Sequence, residues 1–320
     1  MNKKKSPRAD NLYISGSDIN NFFGGLSTKP NECSDLADPK KNGGVCSSKK
    51  VIAAITDFII EKVGDNPPPA SPDKIVNIAA NILGCDSESC VITNPEFRKF
   101  AISEGKLNKN DIVEELDKNF KAAGPRNNVG LLSNINIDET LIKWARSFLE
   151  FFPCPFAMMD FDKNGDLFGS INLLDVLDGK ETIDLGRNFG GTVKRQATCF
   201  GCVLNTDVSS GPGKHWVAVF VDCRESQWTI EYFNSAGNPP PNPVVRWMAK
   251  QKAILSARNS NVSTISVTQI DHQESKTECG LYALYYIRSR IEKIPYTFFF
   301  DQKIPDDAMT YFRTHVFRNH

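Results

Sequence analysis

Two apolar, β-branched runs, HWVAVFVD (215–222) and WTIEYFN (228–234), are separated by the short stretch CRESQ. A gap of that length suits an antiparallel hairpin. If the loop centres between Arg224 and Glu225, His215 comes to face Asn234. Facing side chains have Cβ atoms roughly 4.5–5.5 Å apart, within hydrogen-bond reach for an imidazole and a carboxamide. A slip of one residue would turn them to opposite faces. A lone strand-end histidine is ordinarily a plain surface residue, and an asparagine in NSAGN ordinarily a turn residue. The pairing makes His215 a candidate base and Asn234 a candidate orienter that holds the ring in one tautomer.

The rest of the chain fits around this hairpin. FAMMDFD, CFGCVLN and VSTISVTQI read as further strands, and NIDETLIKWARSFLEF, VVRWMAKQKAILSAR and CGLYALYYIRSRI as helices. Residues 124–320 therefore read as a mixed α+β domain. Residues 51–123 read as a small all-helical arm domain, with VIAAITDFIIEKV first and further helices over 73–83, 95–104 and 109–121. NPPPASP (66–72) interrupts it and GPRNN (124–128) bounds it. Residues 1–50 are polar and are expected to be mobile or loosely packed, with one short helix near Ser17–Phe23.

Composition narrows the function classes. The 38 basic and 38 acidic residues balance, which disfavours strong nucleic-acid binding as the main activity. No apolar run is long enough for a membrane span, and MNKKKSPRAD lacks the apolar stretch of a secretory signal. Nine cysteines without framework spacing are expected to be reduced thiols.

One of them stands apart. In HQESKTECGLYALYYI, Cys279 opens an apolar helix, where backbone amides and the helix dipole favour a thiolate. Gly280 leaves room for a substrate, and Gln273 could join the Cys279 N–H as an oxyanion donor. The plain alternative is a buried helix-start cysteine. His272 is a second candidate base, but it has no evident orienter. DFDKNGD (160–166) begins like a calcium loop, yet position twelve is Ile171 where a bidentate Glu is needed. Cys199/Cys202 and Cys85/Cys90 lack paired zinc spacing, so no metal site and no cofactor are expected.

GKHWVAVFVD, IEYFNSAGN and HQESKTECG resemble the core motifs of SUMO-specific and adenovirus-type cysteine proteases. That family orders its residues His, Asp/Asn/Glu, Gln, Cys, with Trp after the His and Gln six residues before the Cys. GCDSESCVIT (84–93), GPRNN and NIDETL (136–141) resemble segments of a viral, polyprotein-processing member. The resemblance implies a papain-like, adenovirus-protease-like catalytic domain with a mixed sheet. It makes Cys279 the nucleophile, His215 the general base, Asn234 its orienter and Gln273 the oxyanion residue. Trp216, Gly280, Leu132 and Asn134 become substrate-binding residues. It further implies a monomeric enzyme that cuts after Gly-Gly (Gly-Gly-Xaa sites) in viral structural polyproteins during particle assembly, at assembly sites in the host cytoplasm and in the virion. The same site could instead act as a deconjugating isopeptidase on a ubiquitin-like tail, or the fold could serve as a non-catalytic binding module. Two positions depart from the pattern: Asn234 stands where cellular members carry Asp, and Leu131-Leu132-Ser133-Asn134 stands where the family has Trp-Leu-Asn-Asp. The chain also carries Gly-Gly at 24–25, 43–44 and 190–191, of which the first two are candidate self-cleavage sites.

Overall fold

The structure, a computed structural model, describes residues 21–318 apart from 24, 30, 65–69 and 126–129. Most of the helix expected near Ser17–Phe23 lies outside the described residues, as do parts of NPPPASP and GPRNN; Asn21–Phe23 form a turn.

Among the described residues five helices come first: α1 (Lys49–Val63), α2 (Pro72–Leu83), α3 (Glu88–Thr93), α4 (Pro95–Ser103) and α5 (Lys109–Asn119). Their ends follow from local chemistry. Ser48 caps α1 by accepting from Val51 N–H, Pro72 opens α2, and Asn108 and Asp111 form a capping box on α5. The short α3 is absent from the sequence expectation, because one and a half turns carry too little periodicity to see. These helices close around their own core, which includes Ile55, Phe58, Val91, Ile92, Phe97 and Phe120.

A short strand, β1 (Ala122–Ala123), leads into α6 (Asn134–Ser147), β2 (Phe151–Pro153) and β3 (Ala157–Met158). Three brief helices follow: α7 (Phe161–Asn164), α8 (Leu167–Ser170) and α9 (Leu173–Leu177). β4 (Thr182–Asp184) and β5 (Thr192–Lys194) form a separate hairpin. Then come β6 (Cys199–Asn205), β7 (Trp216–Asp222), β8 (Trp228–Phe233), α10 (Asn242–Ser256), β9 (Val262–Val267), α11 (Cys279–Ile291), α12 (Phe298–Asp301), α13 (Asp306–Val316) and β10 (Phe317–Arg318).

The main sheet runs β2-β6-β7-β8-β9, with β3 also on β6. β6, β7 and β8 are antiparallel, while β2 and β3 run parallel to β6 and β9 parallel to β8, so the sheet is mixed and the fold α+β. Helices cover both faces, which explains why β6 to β8 are apolar almost throughout. On one face Trp247 of α10 stacks on Phe200, with ring centroids 6.1 Å apart. On the other, Tyr286 of α11 stacks on Phe233 at 4.5 Å and donates to Glu231 Oε2 at 2.6 Å. Arg290 joins the same buried carboxylate at 2.8 Å. Every residue of α11 is buried, and these bonds fix its C-terminal half. β1 and β10 pair in parallel, joining the chain end to the segment after α5. Among the described residues no helix is long and apolar enough to cross a membrane.

Two expectations need correction. Several of the described residues within 21–50 are packed against the rest of the molecule. Phe23 is buried against Tyr285, Phe312 and His315, with centroids 5.6, 5.8 and 5.0 Å away. Asp35 pairs with the fully buried Arg288 at 2.7 Å. The polar composition hid these few anchors, which partner residues remote in sequence. The cysteines are not all reduced: Cys33–Cys46 and Cys85–Cys90 are disulfides, and the other five carry free thiols.

Candidate active site

The β7–β8 hairpin forms, but its register is offset from the expectation. Ala218 pairs with Phe233 and Asp222 with Thr229, so the loop centres between Glu225 and Ser226. The loop start is held elsewhere: Cys223 N–H donates to Thr198 O at 2.8 Å, and the Arg224 guanidinium grips Asp222. Asn234 therefore comes level with Val217, and His215 is its diagonal neighbour. The offset keeps both residues on one face, so the contact survives: His215 Nε2 lies 2.8 Å from Asn234 Oδ1.

Cys279 opens α11 and is buried. The backbone N–H groups of Trp216, the residue after His215, of Gly280 and of Cys279 itself favour its ionised form. Burial nevertheless wins, raising the thiol above its ordinary range against these donors.

A cleft of about 730 Å³ opens beside this thiol. It is lined by Leu131–Asn134, by Ser209 and Gly211–Lys214, and by Phe156–Met158, Asp166, Asn205, Trp216 and Cys279. The structure thus brings Leu132, Asn134, Trp216 and Cys279 into one cleft. Trp216 is pinned by its Nε1 donating to Leu132 O at 3.0 Å and by an edge contact with Phe156, centroids 6.1 Å apart. Phe156 N–H donates to Asp138 on α6, a carboxyl that burial pushes up to about 6.

Gly280 does not line the cleft. A Cβ there would lie 3.0 Å from the Leu132 side chain, so the glycine makes room for Leu132, not for substrate. Gln273 is tied to the hairpin end: its Oε1 accepts from Ser235 Oγ at 2.8 Å and its Nε2 donates to Ser275 O at 2.9 Å. His272 is buried, accepts Ile304 N–H on Nδ1 at 3.1 Å, and is pulled down to about 4 by burial, which marks it as a core residue.

The Ser209–Lys214 rim escaped the sequence reading. The buried Asp207 accepts N–H groups from Val208 and Gly213 and pairs with Lys214 Nζ at 2.9 Å. A Cβ on Gly211 would fall 2.3 Å from Asp207 Oδ2, so only glycine fits. The GPGK run directly before His215 was the available signal. Cys199 and Cys202 sit three apart on β6 and so point to opposite faces, which forbids shared ligation. Asp160 and Asp162 are engaged by Ser209 and Arg246.

A helix-start thiol sharing a peptide-sized cleft with Trp216, the residue that follows an Asn234-held histidine, on a mixed sheet, is the arrangement of a cysteine protease. Residues 202–320 match the Ulp1 protease family, C-terminal catalytic domain. A cysteine protease from a tick isolate of African swine fever virus is 46% identical over 293 residues, 92% of this chain and 97% of that one. A protein of a pig isolate, named as a SUMO-1 cysteine protease, matches at the same identity and coverage. The crystal structure of the African swine fever virus protease superposes with a TM-score of 0.78 at 45% identity, covering 92% of this chain and 98% of that one. The chain belongs to the Ulp1 family of cysteine proteases, alongside these viral enzymes.

Proposed function

We propose that the chain is a viral endopeptidase that cleaves after Gly-Gly in structural polyproteins during particle assembly. It acts as a monomer, at assembly sites in the host cytoplasm and in the virion. The observation that carries the reading is the setting of Cys279: it is 4% exposed, flanked by Leu132 and by a Trp216 whose indole is bonded to Leu132. A chain segment without side chains reaches such a thiol most easily.

In this reading His215 Nδ1 takes the Cys279 proton as the sulfur attacks the glycyl carbonyl carbon. Gln273 Nε2 and the Cys279 N–H donate to the resulting oxyanion. The intermediate collapses, the C–N bond breaks, and His215 returns the proton to the leaving amine. Water, deprotonated by His215, then attacks the thioester and releases the acid, and the proton goes back to sulfur. Asn234 orients the base. Leu132, Asn134 and Trp216 hold the substrate.

Peptides carrying Gly-Gly-Xaa, with Gly-Ala-Xaa as control, test the reading. Cleavage after Gly-Gly that vanishes in Cys279→Ser supports it; indifference to the second glycine overturns it. The naming of one relative as a SUMO-1 protease favours a second reading, removal of a ubiquitin-like tail. A SUMO–lysine conjugate in the same assay separates the two.

A further inference from the structure

Ser235 follows Asn234 directly and is 1% exposed, yet no step above uses it. Its hydroxyl donates to Gln273 Oε1 at 2.8 Å. Its carbonyl accepts the backbone N–H groups of His272 and Gln273, at 2.8 and 3.0 Å. One buried residue therefore holds both the main chain and the side chain of Gln273, and is covalently joined to the residue that bonds His215.

A primary amide has two chemically opposite ends, one that only accepts and one that only donates. An oxyanion is stabilised by the NH₂ end and repelled by the oxygen. The bond of Gln273 Nε2 to Ser275 O also sorts the two ends, and Ser275 N–H is held in turn by Asp306 of α13 at 2.7 Å. Ser235 lies in the turn that ends β8 and is anchored to the sheet.

The geometry points to Ser235 as a positioning residue for the oxyanion donor: its hydroxyl fixes which end of the Gln273 amide is NH₂, so that one N–H donates to Ser275 O and the second is left for the developing charge, in register with the His215–Asn234 pair. The inference rests on the role proposed for Gln273 above. Ser235 touches neither substrate nor the reacting sulfur. It acts through Gln273, so its removal impairs the step that builds negative charge and leaves thiol chemistry that builds none.

The test uses the full chain as Ser235→Ala, Gln273→Ala and the double variant. Three quantities are read: kcat and KM on a Gly-Gly-Xaa peptide, and the rate of iodoacetamide alkylation of Cys279, which needs no oxyanion donor. Loss of Gln273 is expected to lower kcat about a hundredfold. Ser235→Ala is expected to lower kcat about tenfold, the scale of one buried hydrogen bond, with KM and alkylation within about twofold of wild type. The double variant should match Gln273→Ala alone, because the second change acts through a group already gone. Losses that add in the double variant overturn the inference. So does an alkylation rate that falls with kcat, or full turnover by Ser235→Ala. Full turnover by Gln273→Ala removes the proposed oxyanion role itself, and this inference with it.

Discussion

His215 Nε2 stands 2.8 Å from Asn234 Oδ1, and the other bonds of the Asn234 amide settle which end faces the ring. Oδ1 also accepts Ala236 N–H at 3.0 Å, while Nδ2 donates to Tyr232 Oη at 3.1 Å and Asn238 O at 3.2 Å. A backbone N–H can only donate and a carbonyl can only accept, so a flipped amide would mismatch at both. Nε2 therefore carries the ring hydrogen, and Nδ1 keeps the free lone pair that a base needs.

Asn234→Ala should then lower kcat/KM by about ten- to a hundredfold, because the tautomer is no longer fixed. His215→Ala should abolish turnover. Asn234→Asp should keep substantial activity while the acid limb of its pH–rate profile moves up, since an anion beside the ring favours imidazolium and delays formation of the free base. The aspartate variant should also be less stable, by about 1–3 kcal/mol, because Asn238 O loses its donor. An Asp variant with an unmoved acid limb would contradict the contact between the side chain at 234 and the His215 ring.

Much of this site was legible in the sequence because hairpin geometry is periodic. His215 and Asn234 kept to one face although the register moved, since an offset by two preserves side-chain direction and only an offset by one reverses it. What stayed hidden depended on contacts between distant segments. That Gly280 receives Leu132, that Asp207 shapes the rim before His215, and that Arg288 anchors Asp35 are long-range facts with no local pattern. The Cys33–Cys46 pairing is of the same kind.

Burial raises the Cys279 thiol, and the N–H groups of Trp216, Gly280 and Cys279 oppose it without prevailing. Stabilised thiolates react at full rate in mildly acidic solution. Here alkylation of Cys279 by iodoacetamide, followed by peptide mapping, should keep climbing with pH past the ordinary thiol range. A flat rate between about pH 5 and 8 would show a preformed ion pair instead.

Lys121 supplies a stability prediction with a definite sign. Burial pulls its ammonium down to about 7, although Asp35 and Glu32 oppose the shift. Its Nζ donates to the carbonyls of Lys29, Asn31 and Thr314, joining the N-terminal segment to α13. The folded pKa lies below the unfolded value of about 10.4, so between these values the unfolded chain holds more protons and stability rises with pH. Wild type should therefore gain stability relative to Lys121→Met between about pH 7 and 10. Denaturant titrations at both ends of that window, with disulfides intact, check it; parallel pH dependences would refute the shift.

The last prediction concerns self-cleavage. Gly43-Gly44-Val45 looked like an accessible site in a loose arm, but the chain there is constrained. Gly43 and Gly44 have φ of 72° and 93°, far from the extended backbone that a protease cleft takes. Val45 is buried, and the Cys33–Cys46 disulfide closes the loop that contains the pair. Gly190 and Gly191 also have positive φ, in the turn between β4 and β5. Gly24 lies outside the described residues, but Phe23 and Leu26 on either side of that pair pack on the main core. The oxidised active enzyme should therefore keep its full-length mass through long incubation. Removing the disulfide with Cys33→Ser should lower stability by about 3 kcal/mol, as expected for a closed loop of that size. It should also let the 43–45 segment extend, so that a fragment beginning at Val45 forms in this variant and is missing when Cys279→Ala is added. A Val45 fragment from the oxidised wild type would show that neither the disulfide nor the turn protects the site.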